Sequence, residues 1–277
     1  MDAIYLNNEN RNVYMAKAKP SAVAIGFFDG MHKGHQQVLT EAKRIAKEKQ
    51  ISFACMSFFP HPKEVLASDK EFQYLMPMEE KMNKLREIGV DTFYIVEFDA
   101  AFASLSPKQF IKKYLLDLNV KDVVAGFDFT YGHRGEGNMD RIEKDSGNRL
   151  QSLKVNKVEF NGDKISSSLI RKMIRQGQME MLHHYLGSDY KTEGQIVYNN
   201  YFAEIKVLPH YLLPPSGMYV AEISKGSQTW RQQTIVQNGR LLLPEWNDES
   251  IERFSYVNIS WLKCLSSGLL SHLRQSV

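Results

Sequence analysis

This chain has little cysteine, no long apolar run and no large excess of one charge, and each of these features excludes a class of protein. Its 277 residues include two cysteines, Cys55 and Cys264, too few for a disulfide framework or a cysteine zinc site. No run of about 18 apolar residues is present to cross a bilayer. Residues 1–14 also lack the basic and apolar regions of a signal peptide. We therefore expect a protein of the reducing cytoplasm.

The charges are nearly balanced. The formal net charge is +3, and the lysines and arginines alternate with acids on helix-like segments. Such a pattern is typical of solvated helix faces rather than of a basic patch. We therefore expect neither a nucleic-acid nor a membrane partner, and the sequence leaves the oligomeric state open.

Strand-like and helix-like segments alternate over the first two-thirds of the chain. The strand-like segments are residues 21–27, 51–58, 92–98 and 122–127, and the helix-like segments are residues 35–50, 77–89 and 106–118. This alternation predicts βαβ units and a parallel sheet. Polar loops at 26–35, 59–64 and 126–138 follow three of the predicted strands. In a parallel sheet such loops converge on one edge, where ligands bind.

The pattern changes near residue 190. Six short alternating segments follow, separated by glycine, proline or asparagine: EGQIVY, FAEIKVL, GMYVAEIS, QTWRQQTIVQ, GRLLLP and SYVNISWL. They predict a separate antiparallel β module, a barrel or a sandwich.

The stretch GFFDGMHKGH, residues 26–35, contains two histidines, three glycines and one carboxylate. A metal site, a glycine-rich turn and a phosphate cradle are the alternatives. His32 and His35 fall where a strand ends and a helix begins, and a helix N-terminus attracts phosphate. A metal site needs a third ligand nearby, and no further histidine or cysteine follows at ligand spacing. The stretch is neither a P-loop nor a dinucleotide fingerprint.

A second motif, ISSSLIR at residues 165–171, lies about 130 residues further on. A strand, the pattern GxFDGxHxGH, a helix and then ISS[ST]xxR resemble the nucleotidyltransferase superfamily, which transfers adenylyl or cytidylyl groups. Two signatures in the right order are much more specific than either alone.

Three further stretches are similar to the prokaryotic riboflavin kinase/FAD synthetase family: FFPHPKEVL, VVAGFDFTYGHRGEGN and GQMEMLHHYLGSDYKTEGQIV. The resemblance covers about residues 20–197. It implies an FMN adenylyltransferase that makes FAD and pyrophosphate from ATP and FMN. The implied fold is α/β, a Rossmann-like nucleotidyltransferase domain (residues 1–187) followed by a small antiparallel β-barrel domain (residues 188–277).

The resemblance also implies roles for particular residues. His32, His35 and Arg171 would act on the ATP phosphates, and Ser167 and Ser168 would hold the β- and γ-phosphates together with Arg171. The nucleotide would lie against Gly26, Phe27, Phe28, Asp29, Gly30 and Gly34, with Asp128 near the adenosine or the metal. The flavin would lie near Phe58, Pro60, His61, Pro62, Phe129 and Tyr131. We expect Mg²⁺ bound through phosphate oxygens and no protein metal cage.

Some of these residues have simpler explanations. Phe58 and Phe129 are as readily explained as core aromatics. His133 and Arg134 contact either phosphate or solvent, and His183 and His184 are read as structural.

The chain departs from the family at three places. It has no GRxxGxPTAN stretch, the kinase motif whose threonine and asparagine bind metal and ATP, so we expect a degenerate barrel without riboflavin kinase activity. Phe27 stands where the family has asparagine, and Leu169 where it often has arginine. The alternatives are a catalytically weak paralogue that binds ATP or flavin nucleotide as a sensor, and a nucleotidyltransferase for another phosphate.

Overall fold

Residues 1–66, 72–198, 203–246 and 252–267 are described by the structure, which is a computed structural model. The backbone divides into two units. The first contains Met1–Phe72 and Met78–Glu159, and the second contains Gln73–Pro77 and Phe160–Val277. Each unit is described by itself.

The strands of the described residues number sixteen. They are β1 Asp2–Leu6, β2 Ser21–Ile25, β3 Ser52–Phe59, β4 Thr92–Glu97, β5 Val120–Gly126, β6 Thr130–Tyr131, β7 Gly137–Asn138, β8 Gln151–Val155, β9 Glu159–Phe160, β10 Asp163–Lys164, β11 Tyr190–Tyr198, β12 Ala203–Val207, β13 Gly217–Lys225, β14 Gln228–Gln237, β15 Arg240–Leu243 and β16 Tyr256–Ser267.

The α-helices of the same residues are mostly short. They are α1 Arg11–Met15, α2 Lys33–Lys49, α3 Pro62–Leu66, α4 Met78–Ile88, α5 Ala100–Ala103, α6 Pro107–Phe110, α7 Ile142–Asp145, α8 Ser167–Arg175 and α9 Leu182–Leu186. No helix of the described chain is both long and apolar enough to span a membrane.

A six-stranded parallel sheet in the order β1-β4-β3-β2-β5-β8 forms the first unit. Its central strand β2 reads SAVAI and is buried at every position, as expected for a strand covered on both faces. The parallel sheet predicted from the alternating pattern is confirmed. The two strands that the sequence analysis did not predict are β1 and β8, which lie at the two edges.

Helix α2 covers the middle of this sheet. Its side chains Val38, Leu39, Ala42 and Ala46 are buried, and their spacing of three and four residues puts them on one face of the helix. The segment predicted as one regular helix at 106–118 differs. It begins as α6, with Ser106 and Gln109 forming a capping box, and continues as a π-helix over Ile111–Leu116.

The predicted convergence of three loops is confirmed by the strand order. Strand β2 pairs in parallel with β3 on one side and with β5 on the other. The loops 26–35, 59–64 and 126–138 leave the carboxyl ends of these three adjacent strands. They therefore meet at one edge of the sheet.

Six antiparallel strands close into a barrel in the second unit, in the order β11-β12-β15-β14-β13-β16. Each of the six segments predicted from the sequence overlaps one of these strands, and the barrel, rather than the sandwich, is the correct alternative. Residues alternate between buried and partly exposed along β13. Trp261 and Tyr219 fill the interior, and the Trp261 indole N–H donates to the Thr192 hydroxyl at 2.9 Å.

The helices α8 and α9 group with the barrel unit. The domain boundary expected between residues 187 and 188 stays a prediction.

Candidate active site

The loop after β2 has an unusual backbone. Phe28, Gly30 and Met31 have φ angles of 48°, 82° and 46°. Two of these are non-glycine residues in the left-handed region, at a cost of about 1 kcal/mol or more each. Such conformations persist only where the surroundings hold them in place. This loop delivers His32 to the start of α2.

His32 is the N-cap residue of α2 and is 6% exposed. Its Nδ1 accepts a hydrogen bond from the backbone N–H of His35 at 3.2 Å. A ring nitrogen that accepts carries no proton, so the neutral ring of His32 carries its proton on Nε2. His32 therefore caps the helix through its Nδ1.

His35 stacks on His32, with 3.5 Å between ring centroids and 17° between planes. Its Nδ1 is buried and has no hydrogen-bond partner among the described residues. Burial first, and then the nearby His32 and Lys81, hold the pKa of His35 well below its usual range. His35 is therefore a neutral imidazole at pH 7, and the buried nitrogen is a group that a ligand can satisfy.

A buried lysine donates a hydrogen bond to the backbone of the loop after β2. Lys81 on α4 is 3% exposed, and its Nζ donates to the carbonyl oxygen of Phe27 at 2.7 Å. The Ser57 hydroxyl donates to the same oxygen at 3.0 Å. Sequence analysis missed Lys81. The signal was present, because Lys81 lies four residues before Leu85 and both are on the buried face of α4.

An apolar cavity of about 290 Å³ lies at the same edge of the sheet. Five predicted site residues line it: Phe27, Phe58, Pro62, Phe129 and Tyr131. The sequence analysis did not identify three aromatic residues that also line it: Phe98, Phe102 and Phe110. These rings contact one another at 5.3–6.0 Å between centroids. The cavity therefore has the flat apolar walls that a planar ring system requires.

Tyr131 lines the cavity and is held there by two contacts. Its hydroxyl donates to the Asp145 carboxylate at 2.8 Å, and its ring stacks on Phe110 with centroids 5.3 Å apart. Burial and the bond to Asp145 raise its pKa, so the hydroxyl stays protonated at neutral pH.

The ring of Phe27 lies in this aromatic group. Its centroid is 5.5 Å from that of Phe58 and 4.8 Å from that of His61. The Phe27 side chain, which replaces the family's asparagine, therefore forms a wall of the cavity. The Phe27 backbone carbonyl belongs to the loop after β2, the histidine loop (residues 26–35). A floor for the nucleotide at Phe27 stays a prediction.

The loop after β3 is held by its own contacts. The His61 ring stacks on Phe72 at 4.2 Å and 13° between planes, and its Nδ1 accepts from the Lys63 backbone N–H at 3.2 Å. Pro60 and His61 are absent from the cavity lining in the part of the chain that is described. Their predicted place beside the flavin stays a prediction.

The loop after β5 reaches the cavity through its glycines. Gly132 has φ 77°, and a Cβ there would meet the Pro107 nitrogen at 2.8 Å, so no other residue fits. Arg134 lines the cavity and is exposed, and Asp128 is also exposed.

The second signature lies in the second unit. Ser166 caps α8, because its hydroxyl accepts from the Leu169 backbone N–H at 3.2 Å. Ser167 is the first residue of the helix, and Ser168 is exposed. The Arg171 guanidinium donates to the backbone carbonyls of Gln73 and Ser167, both at 3.4 Å. The cap is thus one residue earlier than the serines predicted to bind phosphate.

No group of three or more histidine, cysteine or acidic side chains arranged to hold a metal ion occurs among the described residues.

These features define a protein of the nucleotidyltransferase class. They are a parallel sheet with two histidines at a helix start, a capped Ser-Ser-x-x-Arg helix and a closed barrel downstream. The model of the FAD synthetase family matches residues 14–169. The chain belongs to the FAD synthetase family.

The curated relatives agree with this membership. The bifunctional riboflavin kinase/FMN adenylyltransferase of Bacillus subtilis is 37% identical over 239 residues, 83% of this chain and 75% of the relative. The protein of the same name from Listeria monocytogenes is 39% identical over 75% of this chain and 69% of its own. The FAD synthetase of Listeria monocytogenes is 34% identical over 76% of this chain and 86% of its own.

A solved structure shares the fold. The crystal structure of a protein from Streptococcus pneumoniae, named there a macrolide-efflux protein, matches with a TM-score of 0.85 and 26% identity. The match covers 96% of this chain and 92% of that one. It confirms the α/β unit followed by a barrel.

Proposed function

We propose that this chain transfers the adenylyl group of ATP to FMN and releases FAD and pyrophosphate. The single observation that carries the proposal is the aromatic cavity of about 290 Å³ at the sheet edge that also carries His32 and His35. Phe27 belongs to both features. An apolar slot for a flat ring beside a phosphate-attracting helix start suits a flavin mononucleotide.

The chemistry needs no covalent enzyme intermediate. An oxygen of the FMN phosphate attacks the α-phosphorus of ATP. The bond from that phosphorus to the bridging oxygen of the β-phosphate breaks, and pyrophosphate leaves with the electron pair. The imidazole N–H groups of His32 and His35 donate to phosphate oxygens on which charge increases in the transition state. By family resemblance, Ser167, Ser168 and Arg171 bind the β- and γ-phosphates.

Magnesium ion belongs to this proposal as a partner of the phosphates. Mg²⁺ keeps several waters and binds through substrate phosphates more often than in an all-protein cage. The charge it neutralises is that of ATP. Asp128, which the family resemblance places near the adenosine or the metal, is exposed.

Chelation of divalent metal is expected to abolish FAD formation and to leave FMN binding unchanged. FMN fluorescence with excess EDTA measures binding, and chromatography measures FAD. Restoring Mg²⁺ should restore the rate. Full activity in EDTA would contradict the metal's role.

The basic assay supplies ATP, Mg²⁺ and FMN and resolves FMN and FAD by chromatography. FAD that appears in proportion to enzyme supports the proposal. FMN binding without any FAD would instead support a flavin sensor, and the proposed reaction would then be wrong.

The aromatic cavity makes a specific prediction for FMN. Phe129→Ala is expected to raise the KM for FMN about tenfold, since removal of one aromatic contact costs about 1–1.5 kcal/mol. The KM for ATP should stay within about twofold, a range that corresponds to less than 0.5 kcal/mol. The matched control is Phe127→Ala, a neighbouring residue that is 39% exposed and outside the lining. Equal effects of the two variants would show that the flavin does not bind here.

We further propose that the barrel has no riboflavin kinase activity. The chain contains no GRxxGxPTAN stretch. A cytoplasmic location and the absence of nucleic-acid partners stay predictions.

A further inference from the structure

Lys81 is the one buried lysine of the described residues, and the proposed chemistry does not yet use it. Moving an ammonium group out of water is unfavourable unless partners compensate. Burial lowers the pKa of Lys81. The nearby Asp29 carboxylate and Cys55 thiol act in the opposite direction. We therefore expect the buried ammonium of Lys81 to have a hydrogen-bond partner that offsets the loss of water.

That partner is the backbone of the histidine loop. The Lys81 Nζ is 2.7 Å from the Phe27 carbonyl oxygen and 3.5 Å from the Ser57 hydroxyl. Ser57 donates to the same carbonyl from the neighbouring strand β3. Two donors from two elements thus fix the Phe27 peptide.

The fixed peptide is followed at once by the strained residues. Phe28 and Met31 have positive φ, and His32 caps α2 directly after them. Without an anchor at Phe27, the loop can relax toward ordinary φ values, and both imidazoles would move with it. A displacement of about 1 Å at a reacting group can cost about a hundredfold in rate.

We propose that Lys81 is a positioning residue for the adenylyl-transfer reaction, holding the Phe27 carbonyl so that the loop presents His32 and His35 to the phosphates. This inference rests on the proposed function. It assigns to Lys81 no contact with either substrate.

The test is Lys81→Met, which keeps the length and apolar stem of the side chain and removes the ammonium. Amide exchange of residues 26–35 in the full chain is expected to become at least about tenfold faster relative to that of the sheet strands. The kcat per folded molecule is expected to fall about tenfold or more. The KM for FMN should change less than about threefold, because the cavity walls other than Phe27 remain.

Lys84→Met on the same helix is the matched control, since Lys84 is a partly exposed residue 3.9 Å from Glu80. It should leave loop exchange and kcat at wild-type values. A purely structural role for Lys81 would lower the melting temperature without changing kcat per folded molecule. If Lys81→Met does not fold, Lys81→Leu, which also removes the ammonium, takes its place with the same expected direction. Lys81→Gln, which retains an N–H donor, should show smaller changes in loop exchange and kcat.

Wild-type loop exchange and kcat in the folded Lys81 variant would overturn the inference. Absence of FAD formation by the wild-type chain would overturn the proposed function instead. The exchange measurement needs no substrate, so the two failures are distinguishable.

Discussion

Replacement of both His32 and His35 by alanine is expected to lower kcat for FAD formation by at least about 10³-fold, since one lost transition-state donor costs about 10²–10³. The KM for FMN should change less than about threefold, because neither ring lines the aromatic cavity. The measurement is steady-state FAD formation with separate titrations of ATP and FMN. The two single variants should each approach the loss of the pair, because stacked groups that act as a unit are not additive.

The control for this prediction is His183→Ala. His183 is exposed in the second unit and lies 3.7 Å from Asp189. Its replacement should leave kcat unchanged. Thermal melting of each variant separates loss of chemistry from loss of fold. Parallel losses of FMN binding and turnover in the double variant would show that the histidines do not act on the phosphates.

Riboflavin is expected to yield no FMN with ATP and Mg²⁺, at enzyme concentrations that convert FMN to FAD within minutes. The barrel lacks the threonine and asparagine that the family motif supplies to metal and ATP.

Chromatography of a riboflavin reaction measures this outcome, and FMN added to the same mixture is the internal control for an active enzyme. ATP-dependent formation of FMN from riboflavin would contradict the prediction. It would also show that the barrel carries a kinase site built from other residues.

Much of the fold could be predicted because local patterns and tertiary burial agree. The buried run SAVAI predicts a central strand, and the spacing of Val38, Leu39 and Ala42 predicts the helix that covers it. The six alternating segments after residue 190 all became barrel strands, since alternation suits a sheet with one buried face. Edge strands such as β1 were missed, because its pattern of mostly exposed residues carries little signal.

The candidate site was predictable only where it follows a motif. His32 and His35 were assigned from their place between a strand and a helix, and the structure places them at the start of α2. Phe98 and Phe102 were missed, because they follow β4, whose loop has no polar motif. Lys81 was missed because a lysine among acids on a helix is usually solvated.

The sequence by itself determined the order of elements, the phosphate signatures and the absence of the kinase motif, because each depends on residues close together in the chain. Only the tertiary structure decided which side chains share the site. It brought Phe27, Phe102 and Phe129 to one cavity from the segments that follow three different strands, β2, β4 and β5. It also placed the Lys81 ammonium on the Phe27 carbonyl across 54 residues. Packing between distant segments selects such contacts, and no local pattern encodes them.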